Sequence, residues 1–321
     1  MKIIISRTDK IGDVILTLPV AGILKNKFPD AYIYFLGSSY TEAVVKKSSY
    51  IDEFLNWNDI SKSGGLPKAD YIIHVFPNKR VAKLAKKQGI PFRIGTSHRL
   101  FHLWTCNKLV NFTRKKSELH ESQLNTKLLV PIGINESFTV SGLSKYLGWK
   151  KSSNHPGEEI LTKNINVILH TKSKGSAMEW PLVRFQETID QLPKDRFHFF
   201  ISGTAEEGKL IRSELPTIFE PENVTDITGK FSLEDFISFI EQCDGLVACS
   251  TGPLHIASAA NIQSLGLYPS EKPMHAGRWG PIGDLSSFIE DKSIENDGKL
   301  NIQASEVVPV LKKWKKLDTN G

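Results

Sequence analysis

Cysteine is scarce in this chain, and the residues that occur, Cys106, Cys243 and Cys249, form no CxxC pair. This usage argues against a disulfide framework and favours reduced thiols in a cytoplasmic protein. No apolar run approaches the roughly 20 residues that a membrane-spanning helix needs. The first residues turn polar too soon for a signal peptide, so we expect neither export nor membrane insertion.

Familiar cofactor signatures are also missing. After the first apolar run there is neither a GxGxxG fingerprint nor a P-loop lysine signature, so a dinucleotide or P-loop site is unsupported. His98 and His102 are four residues apart, but no cysteine or acidic residue lies at ligand spacing beside them. We therefore expect no metal site.

Acidic residues are rarest where the chain is most basic. Residues 1–160 hold 24 Lys/Arg against 13 Asp/Glu, although the whole chain carries only +6. Between Lys68 and Lys116, twelve basic residues accompany a single acid, Asp70. Such a stretch attracts nucleic acid, an anionic membrane or a phosphorylated substrate, while a solvated helix face would give the same composition. No nucleic-acid-binding signature accompanies it, which argues against the first partner.

Strand-like and helix-like segments alternate along the chain, among them predicted strands at Lys2–Ser6 and Phe197–Ser202 and predicted helices at Asp13–Lys27 and Leu233–Gln242. Repeated β-α units predict parallel sheets with helices on both faces, and 321 residues suit two domains. Residues 137–163 lose periodicity and gather Gly, Ser, Asn, Pro and Lys, which predicts a linker. We therefore predict two Rossmann-like domains facing a cleft, at residues 1–160 and 161–321. For the last predicted helix, Ser305–Lys316, packing against the first domain is an open alternative.

The segment from Ser250 to His255 is the most informative in the chain. The apolar run Gly245–Cys249 before it predicts a buried strand, and Ser250 or Thr251 is suited to cap the following helix. A helix start reached through Gly252 leaves N–H groups beside the positive end of the helix dipole, which suits a phosphate. His255 would donate to the same anion. The alternative is an ordinary capped helix with a surface histidine.

The loop after the first predicted strand presents Asp13 directly behind Gly12. A carboxylate at such a strand-to-helix turn can take the proton of a substrate hydroxyl as that hydroxyl attacks an electrophile. Aspartate is also a favoured helix N-cap, so the residue alone leaves both interpretations open.

Several segments together resemble glycosyltransferase family 9, the heptosyltransferases of lipopolysaccharide core assembly. They are Asp9–Asp13 continuing through Thr17–Pro19, then Thr228–Leu233 and Ser250–His255. The resemblance extends from the first strand to about Gly283. It implies the GT-B fold and an inverting, metal-independent transfer of heptose from ADP-heptose to a lipopolysaccharide core acceptor. The nucleotide-sugar would be a substrate, with no cofactor.

The resemblance also implies roles for individual residues. Asp13 would act as the base on the acceptor hydroxyl. The donor diphosphate would lie at the helix start, with an acid near the ribose and an aromatic ring lining the nucleotide pocket. The implied donor-binding residues are Ser250, Thr251, Gly252, His255, Glu206 and Phe231.

Two positions depart from the family pattern. Met178 stands where the family has a lysine that faces the diphosphate, so Lys172 or Lys174 would reach in from the loop, or charge stabilisation would be weaker. Ser250 replaces a frequent aspartate, although serine can also cap a helix. Both lysines have a plain alternative as solvated loop residues. These departures leave the donor sugar open.

The basic stretch gains a specific partner from the resemblance. Lipopolysaccharide inner core carries acidic sugars and phosphates, and its lipid end lies in the inner leaflet, so basic residues would meet those anions or the membrane surface. The expected acceptor-binding residues are Lys10, Lys79, Arg80, Lys83, Arg93, Arg99 and the segment Arg114–Lys116.

Two other functions stay open on the sequence. A sugar-nucleotide epimerase would share the two-domain architecture but need no acceptor. A family member without turnover would bind lipopolysaccharide or an assembly partner, which the residues at positions 178 and 250 would explain.

Overall fold

The computed structural model describes residues 1–114, 117–152, 160–293 and 298–318. The chain divides into two compact units, Met1–Lys150 and Lys151–Gly321, where the sequence predicted a boundary between residues 160 and 161. Residues 153–159 of the expected linker, and Lys115 and Lys116 of the basic stretch, lie outside the described residues.

The first unit is built on a parallel sheet of six strands in the order β3-β2-β1-β4-β5-β6. Its strands are β1 (Lys2–Ser6), β2 (Tyr32–Gly37), β3 (Glu53–Asn56), β4 (Tyr71–His74), β5 (Phe92–Thr96) and β6 (Lys108–Val110). Its α-helices are α1 (Ile11–Ile15), α2 (Leu18–Lys27), α3 (Glu42–Val45), α4 (Trp57–Ser63), α5 (Lys79–Lys87), α6 (His102–Thr105) and α7 (Glu121–Thr126). Short 3-10 helices occur at Ser39–Thr41, Lys127–Ile132 and Ser141–Tyr146.

The second unit repeats this topology with the order β12-β11-β10-β7-β8-β9. Its strands are β7 (Ile165–His170), β8 (Phe197–Ser202), β9 (Val224–Asp226), β10 (Gly245–Cys249), β11 (Gln263–Pro269) and β12 (Ser286–Asp291). Its helices are α8 (Leu182–Asp190), α9 (Ala205–Glu214), α10 (Leu233–Gln242), α11 (Gly252–Ala259), α12 (Ala276–Trp279) and α13 (Ala304–Lys312), with a 3-10 helix at Pro216–Phe219. The predicted pair of Rossmann-like domains with parallel sheets is confirmed.

Apolar runs form the central strands because both faces of each sheet are covered. Ile3, Ile4 and Ile5 of β1 are completely buried, as expected for a parallel sheet between helix layers. In the second unit, Trp180 is buried and its indole N–H donates to the carbonyl of Ile302 at 2.7 Å. The last helix, α13, packs against α8 in this core.

One predicted helix, from Asp13 to Lys27, is two helices in the structure. The first, α1, ends at Ile15, and α2 begins at Leu18 with Pro19 in its first turn. Proline has no N–H to donate to the preceding turn, so it starts a helix more easily than it continues one. Because of this break, α1 is a short helix, and Asp13 lies within it.

No helix within the described ranges is long and apolar enough to cross a membrane.

Candidate active site

Both informative loops follow central strands where the strand order reverses. In the first unit, Asp13 follows β1, which pairs with β2 on one side and β4 on the other. In the second unit, Thr251 follows β10, which pairs with β7 and β11. Ligands of open α/β sheets bind beyond the carboxyl ends of strands at these reversal points. The topology therefore marks both loops as candidate ligand sites.

Asp13 is not a helix cap. Lys10 occupies the N-cap position of α1 without a side-chain cap bond, and Asp13 lies in the first turn. Its carboxylate is paired with the guanidinium of Arg7, which is 3% exposed. The same guanidinium donates from Nε to Asp9 at 2.8 Å. The capping interpretation of Asp13 is wrong, and the side chain belongs to a buried ionic network.

The network continues onto α7. Arg7 Nη1 donates to Glu121 Oε1 at 3.0 Å, and Arg114 Nε donates to the same oxygen at 3.0 Å. Asn125 accepts from Arg114 Nη2 at 3.0 Å and donates to the carbonyl of Leu16 at 3.1 Å. Glu121 is 1% exposed and Asn125 is fully buried. Helix α7 therefore fixes the guanidinium that holds Asp13.

The charges of this network explain the protonation behaviour of Asp13. Among its described members, the carboxylates of Asp9, Asp13 and Glu121 share the guanidinium groups of Arg7 and Arg114. Burial raises the pKa of Asp13 to about 6, Arg7 opposes the shift, and the neighbouring carboxylates add to it. Burial alone would lower the pKa of Arg7, but the carboxylates raise it above its usual range. Asp13 is thus a stronger base than an ordinary carboxylate, and it is ionised at neutral pH.

Sequence reasoning missed Arg7, Glu121 and Asn125 as members of the site. Arg7 immediately follows β1, which was a usable signal because it stands at the carboxyl end of a central strand. Glu121 and Asn125 are 114 and 118 residues from Arg7 along the chain, so no local pattern pointed to them.

In the second unit, Thr251 is the N-cap residue of α11, with Pro253 in the first turn. Its side chain makes no cap bond, and its hydroxyl is buried without a hydrogen-bond partner in the part of the chain that the structure describes. His255 is 4% exposed, so the alternative of a surface histidine is wrong. The first-turn N–H groups of any helix lack intrahelical acceptors. This end of α11 can therefore receive an anion.

The loop after β7 lies at the same reversal point. As at Thr251, the hydroxyl of Thr171 is buried, and no described residue forms a hydrogen bond with it. Lys172 is held by Glu214 at 2.7 Å and Glu179 at 3.6 Å. Lys174 is exposed in a left-handed conformation with a φ of 48°. Of the two candidate lysines, Lys172 is already neutralised and Lys174 is solvated.

Met178 packs against the hydrophobic core of the second unit. A lysine at this position would have to leave that contact to reach a phosphate. The departure from the family pattern is therefore a packing residue in this chain.

Two further donor-binding candidates lie on neighbouring loops. Glu206 opens α9 with a side chain that is 77% exposed and paired with Lys209 at 3.0 Å. Phe231 stacks on Phe239 with ring centres 5.0 Å apart. The two loops are joined by a hydrogen bond from the N–H of Gly229 to the carbonyl of Gly203 at 2.9 Å. The structure thus brings these two motifs to one edge of the sheet.

The predicted acceptor-binding residues differ in whether their charged groups are exposed to solvent or hydrogen-bonded within the first unit. Lys79, Arg80 and Lys83 are exposed on α5, and Lys10 and Arg99 are exposed on loops. Arg93 instead donates to the backbone carbonyls of Thr105, at 2.8 Å, and Ile90. Its guanidinium therefore serves the fold of the first unit.

The two histidines considered as a metal site, His98 and His102, differ in their exposure to solvent. His98 is exposed, whereas His102 is fully buried and contacts the carbonyl of Thr96 through Nδ1 at 3.0 Å. Across the described ranges, no group of three or more His, Cys, Asp or Glu side chains is arranged to hold a metal ion.

Comparison with known proteins identifies the family. The model of "Glycosyltransferase family 9 (heptosyltransferase)" matches residues 66–305. A Haemophilus influenzae protein with a provisional glycosyltransferase name is 26% identical over 306 residues, covering 90% of this chain and 88% of that protein. Lipopolysaccharide heptosyltransferase 3 of Escherichia coli is 21% identical over 276 residues, covering 80% and 79%.

A solved structure shares the fold. The ADP-heptose lipopolysaccharide heptosyltransferase II of Escherichia coli superposes with a TM-score of 0.75 at 17% identity, covering 97% of this chain and 98% of that one. The GT-B fold class implied by the sequence motifs is confirmed.

Proposed function

The chain belongs to glycosyltransferase family 9, and from this premise we propose that it transfers heptose from ADP-heptose to a lipopolysaccharide core acceptor, with inversion and without a metal. The family makes it a glycosyltransferase. The observation that carries the base-assisted, inverting step is Asp13, a carboxylate with a pKa of about 6 at the strand-order reversal of the first sheet, while the heptose donor and the lipopolysaccharide acceptor are proposed from the named relatives.

In the proposed reaction, the Asp13 carboxylate takes the proton of an acceptor hydroxyl. The hydroxyl oxygen forms a bond to the anomeric carbon of the donor from the face opposite the nucleotide. The bond to the diphosphate breaks and its electron pair leaves with the nucleoside diphosphate, so the configuration inverts. Arg7 holds the carboxylate, and its charge keeps Asp13 ionised near neutral pH.

The leaving diphosphate gathers negative charge, which fixed N–H dipoles stabilise in a water-poor site. We assign this role to the start of α11, with the Thr251 hydroxyl and His255 as donors. The buried hydroxyls of Thr171 and Thr251 support the assignment, because they have no hydrogen-bond partner among the described residues. Glu206 and Phe231 are assigned to the ribose and the base. Lys174 is the more available loop cation, because Lys172 is paired with Glu214.

The acceptor is assigned to the first unit. Exposed Lys10, Lys79, Arg80, Lys83 and Arg99 suit the phosphates and acidic sugars of a lipopolysaccharide core. Because such an acceptor is anchored in a membrane, we also propose peripheral contact with the anionic inner face of the inner membrane.

The first test is a thermal-shift screen against ADP-, GDP-, UDP- and dTDP-sugars, since a ligand of the folded state raises the unfolding midpoint. ADP-heptose is expected to give the largest shift.

Transfer to extracted core acceptor is then measured with and without EDTA, and equal rates are expected. Activity lost with EDTA and restored by a divalent metal would refute the metal-independent step. Nucleotide-sugar epimerised without acceptor would support the epimerase, and binding without nucleotide release would indicate a family member without turnover.

A further inference from the structure

Three large apolar side chains are exposed close together in the first unit. Leu100 is 73% exposed, Leu103 is 48% exposed and Trp104 is 66% exposed. Isolated exposed apolar residues are ordinary on protein surfaces, but a tryptophan and two leucines within five residues form a patch. We call these three residues the apolar tip.

The apolar tip is held outward by the residues between and beside its members. His102 is fully buried, with Nδ1 3.0 Å from the carbonyl of Thr96. Thr105 is 6% exposed, and its hydroxyl donates to the carbonyl of Phe101 at 2.7 Å. Because α6 turns these two residues inward, its other residues, Leu103 and Trp104, face solvent.

A basic surface adjoins the apolar tip. Lys86 Nζ donates to the backbone carbonyl of Trp104 at 2.6 Å, which joins α5 to α6. Lys83 and Lys87 are exposed on the same helix, while Val81, Ala82 and Ala85 form its buried side. Arg99 is exposed beside Leu100. Acidic residues are nearly absent from this part of the sequence, so its positive charge is poorly compensated.

We propose that the apolar tip, together with Lys83, Lys86, Lys87 and Arg99, docks the protein on an anionic lipid bilayer. Tryptophan and leucine partition into the interface of a bilayer, while neighbouring lysine and arginine meet its anionic headgroups. The charge complementarity favours lipid over an apolar protein groove. The inference deepens the membrane contact of the proposed function and rests on it.

The experiment measures binding of the full chain to phosphatidylcholine vesicles with and without phosphatidylglycerol, by co-sedimentation. The wild type is expected to bind only the anionic vesicles. The double variant Leu100→Ser/Trp104→Ser is expected to bind about tenfold more weakly. Its control is Leu210→Ser, because Leu210 is 60% exposed on α9 of the second unit. Undiminished binding by the double variant would overturn the inference.

The charge contribution is tested with Lys83→Glu/Lys87→Glu. Its control is Lys163→Glu/Lys194→Glu, at exposed positions of the second unit. Each reversed lysine loses one positive charge and gains a negative one, so each is expected to weaken binding by at least about fivefold, and the difference should shrink at high salt. Equal loss in both pairs would mean non-specific attraction and would also overturn the assignment.

Transfer to delipidated core oligosaccharide separates this inference from the proposed function. The apolar-tip variant is expected to retain that activity while losing vesicle binding. If the wild type binds vesicles but transfers no sugar, the proposed function fails. If the wild type transfers sugar but does not bind anionic vesicles, the proposed docking on a bilayer is wrong. Binding to a protein partner without vesicle binding would likewise refute the bilayer as occupant.

Discussion

Replacing Glu121 with glutamine tests whether the buried network sets the basicity of Asp13. Glu121 is 1% exposed and accepts hydrogen bonds from both Arg7 and Arg114 at 3.0 Å, through one oxygen. The amide oxygen of glutamine can accept the same bonds. The substitution therefore removes one negative charge while keeping much of the geometry. We assign Glu121 as a positioning residue, since it acts on Asp13 through Arg7.

The expected magnitude follows from the charges. The negative charge of Glu121 adds to the raised pKa of Asp13, and Glu121→Gln removes that charge. The pKa of Asp13, about 6 in the native protein, is expected to fall by about one unit. Two charge-assisted hydrogen bonds become weaker, so the free energy of unfolding is expected to fall by about 2 kcal/mol.

The assay is the pH dependence of kcat/KM for sugar transfer. Because Asp13 must be ionised to accept a proton, kcat/KM is expected to fall as the pH drops through about 6 in the wild type. In Glu121→Gln this acidic limb is expected to lie at lower pH. Glu136→Gln serves as a control, because Glu136 is exposed in a loop of the same unit.

A lower unfolding midpoint with an unmoved acidic limb would refute the reasoning. Glu121 would then support the fold without influencing the base.

Three further substitutions probe the two sites and the core. Asp13→Asn is expected to lower transfer by about 10²–10⁴-fold while donor binding survives. Because the folded-state pKa of Asp13, about 6, exceeds its ordinary value of 3.8, stability falls between these pH values and the full cost applies above them, so the variant should unfold no earlier than wild type at pH 7. Thr251→Val removes a buried hydroxyl without a partner, so calorimetry should show unchanged or higher stability but about tenfold weaker nucleotide-sugar binding. Trp180→Ala empties a buried position and should lower the free energy of unfolding by about 3–5 kcal/mol in urea titrations.

The central elements of the fold could be predicted from the sequence, whereas most outer strands could not. The structure has β1, β8 and α10 at the predicted bounds, since buried apolar runs and a clear helical period define them. The missed strands β3, β6 and β12 lie at sheet edges and are only partly buried. An edge strand faces solvent, so it lacks the apolar run that marks a central strand.

The site could be predicted only in part, because its charged residues are far apart in sequence. Asp13 stands in a recognisable loop, and Thr251 lies at a recognisable helix start. The ionic network around Asp13 depends on α7, and the pairing of β10 with β7 places the loop after β7 at the strand-order reversal where Thr251 lies. The roles of both residues stay predictions until transfer is measured.

The two candidate sites differ in how their charged side chains are paired. This difference bears on Met178, which stands where the family has a lysine. In the first unit, burial and the neighbouring carboxylates raise the pKa of Asp13, which suits a group that must accept a proton. In the second unit, the loop cation Lys172 is compensated by two carboxylates, and Met178 is packed in the core. We expect an anion there to be bound by helix N–H groups and hydroxyls together with the exposed loop residue Lys174. We therefore expect a diphosphate to bind without a lysine at position 178, and the absence of that lysine does not by itself argue against turnover.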